Sequence, residues 1–246
     1  MVALLVFFFF REKPASVANK ASKRQKEQNF WVSLRTVAKN RNVIVLSFIY
    51  GFAISAVNTS ATIVGEVVKY FNFTSSDASI FGITVVVGGV FGCVIVSIFV
   101  TRTKRFKLTI VVLLLMTTLV QTFATYGYYS GTFWMETLGS FFFGLFSLPL
   151  IPIVFELGVE VTHPFDESYS SAVITSGELV MSIVMNPVCS ALIKQRDREG
   201  ALISFYIIVG MIALGFVSSL FIKEDLKRQQ FEQEKSFLTA DNGPEA

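Results

Sequence analysis

Val43-Ile44-Val45-Leu46-Ser47-Phe48-Ile49-Tyr50-Gly51-Phe52-Ala53-Ile54-Ser55-Ala56-Val57-Asn58-Thr59-Ser60-Ala61-Thr62-Ile63-Val64-Gly65 runs for 23 residues without a charge. A helix of about 20 apolar residues crosses the hydrocarbon of a bilayer. Three more uncharged runs follow: Ala78 to Thr101 (24 residues), Leu108 to Met135 (28) and Gly200 to Ile222 (23). Thr132 to Phe155 and Tyr169 to Ile193 are also apolar, with one acid inside or at the edge. The runs are solid rather than alternating, which argues for helices and against a membrane barrel. The reading is an all-α, polytopic membrane protein with six spans.

Composition agrees. The chain has 246 residues, 52% hydrophobic, with 26 phenylalanines. Charged residues make up 16%, against about 25% for a soluble domain. A net charge of +3, spread along the chain, gives no reason to expect a nucleic-acid partner. Cys93 and Cys189 fall inside spans and read as small apolar packing residues.

Polar segments divide the chain. Residues 1–10 are apolar but too short to span, and read as the end of a preceding transmembrane helix. Residues 11–42 read as a cytosolic linker, whose stretch Phe30 to Val37 is amphipathic and suits a membrane surface. Residues 43–222 form the six-helix bundle, and 223–246 a cytosolic, mostly disordered tail. The basic linker, the loop Arg102 to Lys107 and the start of the tail are rich in Lys and Arg and read as cytosolic. Two loops run against this pattern: Gly158 to Ser168 has no basic residue and Lys194 to Glu199 has three. Asn72-Phe73-Thr74 is a glycosylation acceptor in an expected external loop.

Polar residues inside spans carry the functional reading. Ser47, Gly51, Ser55, Asn58 and Thr62 lie on one face of the first span. Such a stripe either bonds to other helices or lines a pathway. Asn58, near mid-depth, is the leading solute contact. Thr175, Glu178, Ser182 and Asn186 share a face of the fifth span. Glu178 reads as the one acid deep within a span, useful as a proton or cation site or held by a structural hydrogen bond. Gly88-Gly89-Val90-Phe91-Gly92 permits a close helix crossing. Pro149 and Pro152 bend or break the fourth span. Glu156 and Glu160 sit on one helical face at the end of that span. Glu160-Val161-Thr162-His163 has a di-metal spacing, but the chain has one histidine and no metal site or cofactor is expected. No nucleophile elbow, phosphate loop or dinucleotide fingerprint is present, so an enzyme is not expected.

Several phrases, in order, resemble one family. They are Phe8-Phe9-Phe10-Arg11-Glu12-Lys13-Pro14, Asn40-Arg41-Asn42, Tyr50-Gly51 and Thr101-Arg102-Thr103-Lys104-Arg105-Phe106-Lys107. They continue with Phe155-Glu156-Leu157-Gly158-Val159-Glu160-Val161-Thr162-His163-Pro164, Glu167 with Ser170-Ser171, and Phe221 to Gln229. Together they look like the second half of the feline leukaemia virus subgroup C receptor-related family, a branch of the major facilitator superfamily. The resemblance implies twelve spans in two six-helix bundles with solute held between them. This chain would be the C-terminal bundle, its partners the lipid bilayer, a small solute, and a missing N-terminal six-helix half or a second copy. The implied function is alternating-access transport of a choline-, ethanolamine-, haem- or pyridoxine-like solute, in the plasma membrane or an endomembrane. The alternative is a truncated or non-transporting fragment with a structural or assembly role. Asn58, Glu178, Ser55 and Ser182 are the expected solute contacts. Glu156, Glu160, Arg102 and Lys104 are expected to gate the cytosolic face. Asn58 stands where choline-handling members place an aromatic residue. Leu179, beside Glu178, stands where they place a glutamine, and Thr101 stands where the family has Asp.

Overall fold

The computed structural model describes residues 30–222. The readings made for 1–29 and 223–246 (the preceding helix end, most of the linker and the tail) lie outside them. Seven helices follow in order: α1 Phe30–Ala38, α2 Arg41–Val67 with a 3-10 turn Val68–Tyr70, α3 Ser75–Thr103, α4 Phe106–Ser130, α5 Phe133–Ser147, α6 Leu150–Thr162 and α7 Glu167–Ser219. There is no strand among the described residues.

Five stretches are long and apolar enough to cross a membrane. The expected fifth and sixth spans are the two arms of α7, whose 53 residues are divided by a kink. Drawn out straight it would reach about 80 Å, more than twice a hydrocarbon core of about 30 Å. It is not straight. Asp197 has φ 50 and ψ −122, outside any helix. Beyond it the chain turns back: Ser204 Oγ donates to the Cys189 carbonyl at 3.3 Å. Gly200 lies against the Leu192 backbone so closely that a Cβ would overlap the carbonyl. α7 is therefore a hairpin of two packed arms.

The other boundaries have local causes. Asn40 caps α2 by accepting from the Asn42 amide. Thr74 and Asp77 form a reciprocal capping box that starts α3. The 28-residue run to Met135 is not one helix. Gly131, at φ 64, ends α4 and lets its amide reach back to Gly127 and Tyr128. The fourth span breaks where the prolines stand: α5 ends at Ser147 and Pro149 caps α6. α6 then runs on to Thr162, so Glu156 and Glu160 are helical.

Packing sorts the helices by face. α3 leaves Ile83, Val86, Val90, Val94, Ile95 and Ile98 exposed, and only 22% of its most apolar window is buried. A soluble surface does not carry so continuous an apolar stripe. On its other side α3 meets α5 backbone to backbone. A Cβ at Gly88 or Gly92 would overlap the carbonyls of Phe141 and Leu145, and one at Gly144 the carbonyl of Val85. The glycine run thus packs as expected. Cys189 is buried and Cys93 half-buried, both free thiols. The chain is an integral, multi-pass membrane protein.

The helix ends fall into two layers. At one end Asn40 reaches the Val161 carbonyl and Lys107 Nζ donates to the Leu220 carbonyl at 3.1 Å. At the other, Arg198 at the α7 bend lies 5.4 Å over the Phe71 ring and 5.8 Å over Tyr129. The loops Arg102 to Lys107 and Gly158 to Ser168 share the first layer. α1 packs Ser33 and Val37 inward and leaves Trp31 75% exposed.

Candidate functional site

α2 and α7 meet along the two polar faces picked out in the sequence. Near one end Ser47 Oγ donates to the Val173 carbonyl at 3.0 Å. One turn on, Gly51 faces Gly177, whose carbonyl oxygen would stand 2.9 Å from an added Cβ. The absence of a side chain at Gly51 lets the helices approach and brings the longer residues above it into range. There Asn58 Nδ2 donates to Glu178 Oε1 at 2.7 Å, and Ser182 Oγ donates to the same oxygen at 2.9 Å. Thr59 Oγ donates to Asn186 Oδ1 at 2.7 Å.

Three of the four expected solute contacts are thus brought together on one carboxylate. Glu178 is 8% exposed while Asn58 is exposed, so the group sits at the edge of the bundle rather than sealed within it. Two neutral donors offset part of the cost of holding a carboxyl group in an apolar setting, and neither neutralises a charge. The arrangement can add a cationic or hydrogen-bonding group from outside. Ser55 is different. It is fully buried, faces the bundle, and its hydroxyl has no hydrogen-bond partner.

The expected gating residues do not converge. Arg102 and Lys104 are exposed at the α3–α4 turn, where Lys104, at φ 54, ends α3. Glu156 is exposed and Glu160 is buried, one of its oxygens lacking a hydrogen-bond partner. No ion pair joins these acids to Arg102 or Lys104. Among the described residues no group of three His, Cys, Asp or Glu side chains could hold a metal.

A second buried acid escaped the sequence reading. Glu136 is 3% exposed, more buried than Glu178, although it lies near a helix start and not deep within a span. Glu136 lies in the first turn of α5. Its carboxyl packs on Gly127 of α4, with Oε2 3.3 Å from where a Cβ would stand. Ser140 Oγ donates to Oε1 at 3.2 Å. The signal was present: Glu136 is the sole charge between Lys107 and Glu156. It is the acid inside the stretch Thr132 to Phe155, but its place near the start of that stretch gave no sign of burial. The glycine-ended α4 places it inside.

No family model matches the chain. It is similar to the choline/ethanolamine transporter flvcr2a of Danio rerio, 27% identical over 95% of this chain and 50% of that protein. It is 26% identical to the choline/ethanolamine transporter FLVCR2 of Homo sapiens, over 95% of this chain and 45% of that one. An uncharacterised MFS-type transporter of Caenorhabditis elegans is 25% identical over 93% of the chain and 40% of its own length. The likeness read from Phe155 to Pro164 and its companion phrases therefore extends over nearly all of this chain. The chain spans about half the length of these curated relatives.

Proposed function

We propose that the chain is the C-terminal bundle of a twelve-span transporter that moves a small organic solute by alternating access. The observation that carries the proposal is the carboxyl group of Glu178, set at the edge of the α2–α7 seam with Asn58 and Ser182 bonded to one oxygen. A solute with an ammonium or hydroxyl group would bind there, Glu178 supplying charge or an acceptor and Asn58 orienting it. A choline- or ethanolamine-like solute suits one acid and neutral donors. The similarity to choline/ethanolamine transporters supports that class. Haem- and pyridoxine-like solutes are the other classes the resemblance implied.

In this reading each arm of α7 crosses separately, giving six crossings. The end that carries Arg102, Lys104, Glu156 and Glu160 faces the cytosol and is closed by contacts with the other six-helix half. The interruption at Leu148 and Pro149 keeps right-handed helical dihedrals, and a span with missing hydrogen bonds there can flex as the two halves move.

The test is to co-express this chain with an N-terminal six-span half from a relative and measure uptake of labelled choline and ethanolamine. Uptake above either half alone is expected, with Asn58→Ala and Glu178→Ala each lowering it at least tenfold. Uptake that both variants leave unchanged removes the site assignment. Its absence for every solute class favours the structural or assembly role.

A further inference from the structure

Glu136 borders a cavity of about 250 Å³ enclosed by α2, α3, α4, α5 and the second arm of α7. A water needs about 10–15 Å³ on such a measure, so the space suits a small molecule. Its walls include the faces of Phe81, Tyr128, Phe143 and Phe205. Tyr128 and Phe205 stack at 4.6 Å, and Phe81 and Tyr128 stand edge to face at 6.1 Å. Glu136 Oε2 accepts no well-formed hydrogen bond, although the Tyr128 hydroxyl on the same wall interacts with this carboxyl group, and the hydroxyl of Ser60 has no partner. No basic side chain lines the cavity. An acid that is 3% exposed, with one oxygen lacking a well-formed bond and no counter-charge, is costly unless a cation or a proton meets it. Aromatic faces around it attract an organic cation through their quadrupoles. A bare metal ion would find too few oxygens in so apolar a space.

We propose that this cavity is a binding site for a small alkylammonium ion, held by Glu136 and the surrounding aromatic faces. It is separate from the Glu178 site. Asn58 turns toward α7, whereas Val57, Ala61 and Val64 of the same helix face the cavity. Entry is between α2 and α3, past Ala61, Gly82 and Val86, which are exposed. The proposal does not depend on the transport reading, since it concerns binding within this chain alone.

Tetramethylammonium is the probe, with tert-butanol as a neutral molecule of similar shape. The full chain is reconstituted in nanodiscs and binding is measured by equilibrium dialysis with labelled probe. Saturable binding is expected, unaffected by equal concentrations of tert-butanol or sodium chloride. In a Glu178→Gln background, which takes the charge from the α2–α7 site, saturable binding should remain, and adding Glu136→Gln, which keeps the size and a bond to Ser140, should weaken it at least tenfold. Ala61→Trp, which leaves the acid intact and fills the entrance, should also weaken it at least tenfold. Size-exclusion profile and helical circular dichroism verify folding, so Ala61→Trp decides the matter should Glu136→Gln misfold. The proposal is overturned by absent saturable binding in the Glu178→Gln background, by displacement with sodium or tert-butanol, or by a folded Glu136→Gln or Ala61→Trp that leaves binding in that background unchanged. Loss of binding in Glu178→Gln overturns it equally and moves the cation to the other acid.

Discussion

Replacing Glu178 by Gln separates what the α2–α7 seam needs for stability from what it needs for chemistry. Glu178 Oε1 accepts two bonds, but only that from Asn58 crosses between helices. The bond from Ser182 is four residues along the same helix and survives without α2. Interhelical hydrogen bonds in membranes contribute about 0.6 kcal/mol on average and up to about 1.7. At 2.7 Å the Asn58 bond belongs in the upper part of that range, about 1–1.5 kcal/mol. A double-mutant cycle of Asn58→Ala and Glu178→Ala should therefore return a coupling near 1 kcal/mol, within the range for direct contacts. Gln keeps an acceptor oxygen in the same place, so Glu178→Gln should cost less than about 0.5 kcal/mol. Solute uptake by the same variant should fall at least tenfold, because the charge is gone. The assay is reversible unfolding in mixed micelles, followed by circular dichroism, beside tracer uptake with the complementary half. A coupling below about 0.3 kcal/mol would mean the bond does not hold the seam. A loss above about 1.5 kcal/mol for Glu178→Gln would show that charge, not the bond, stabilises it.

Three further outcomes follow from packing, capping and the bend. Gly144→Ala should cost about 3 kcal/mol or more, since the new methyl overlaps the Val85 backbone, which has no rotamer to yield. Gly210→Ala, with nothing within 4 Å, should be neutral or stabilise by up to about 1 kcal/mol; equal losses in a thermal melt would refute the close α3–α5 crossing. The Asp166 carboxylate caps α7 and is held below the usual range by the Ser168 amide and hydroxyl. Its stabilisation is therefore present above about pH 4 and lost as pH falls through the folded value. Asp166→Asn keeps the cap but should flatten that part of the stability–pH curve, and an unchanged acid slope would contradict this. Arg198→Gln removes the cation above Phe71 and Tyr129 and should speed hydrogen exchange in residues 194–200 severalfold, while exchange near Asn40 stays unchanged.

The sequence made some of this legible and concealed the rest for identifiable reasons. Polar residues stand out when everything around them is apolar, so the Asn58 and Glu178 faces were visible separately. That they meet depends on Gly51 facing Gly177, a pairing across 126 residues that periodicity does not encode. Pro149 announced its break because a missing amide acts locally. The Asp197 bend is the opposite case. Its residue type is ordinary, and neither its non-helical dihedral angles nor the close approach of Gly200 to Leu192 leaves a mark in the sequence. Glu136 stands near the start of the stretch Thr132 to Phe155, and sequence alone does not show that neighbouring helices bury it there.

The two seams described above differ in compliance. Between α3 and α5 carbonyl oxygens rest on bare α-carbons, leaving no torsion to relax and making the pair a strut. Between α2 and α7 side-chain hydroxyls and amides do part of the joining, and such bonds can be exchanged for others at little cost. A bundle with one stiff edge and one exchangeable edge deforms by hinging along the second. The acid at that edge would then register the motion first.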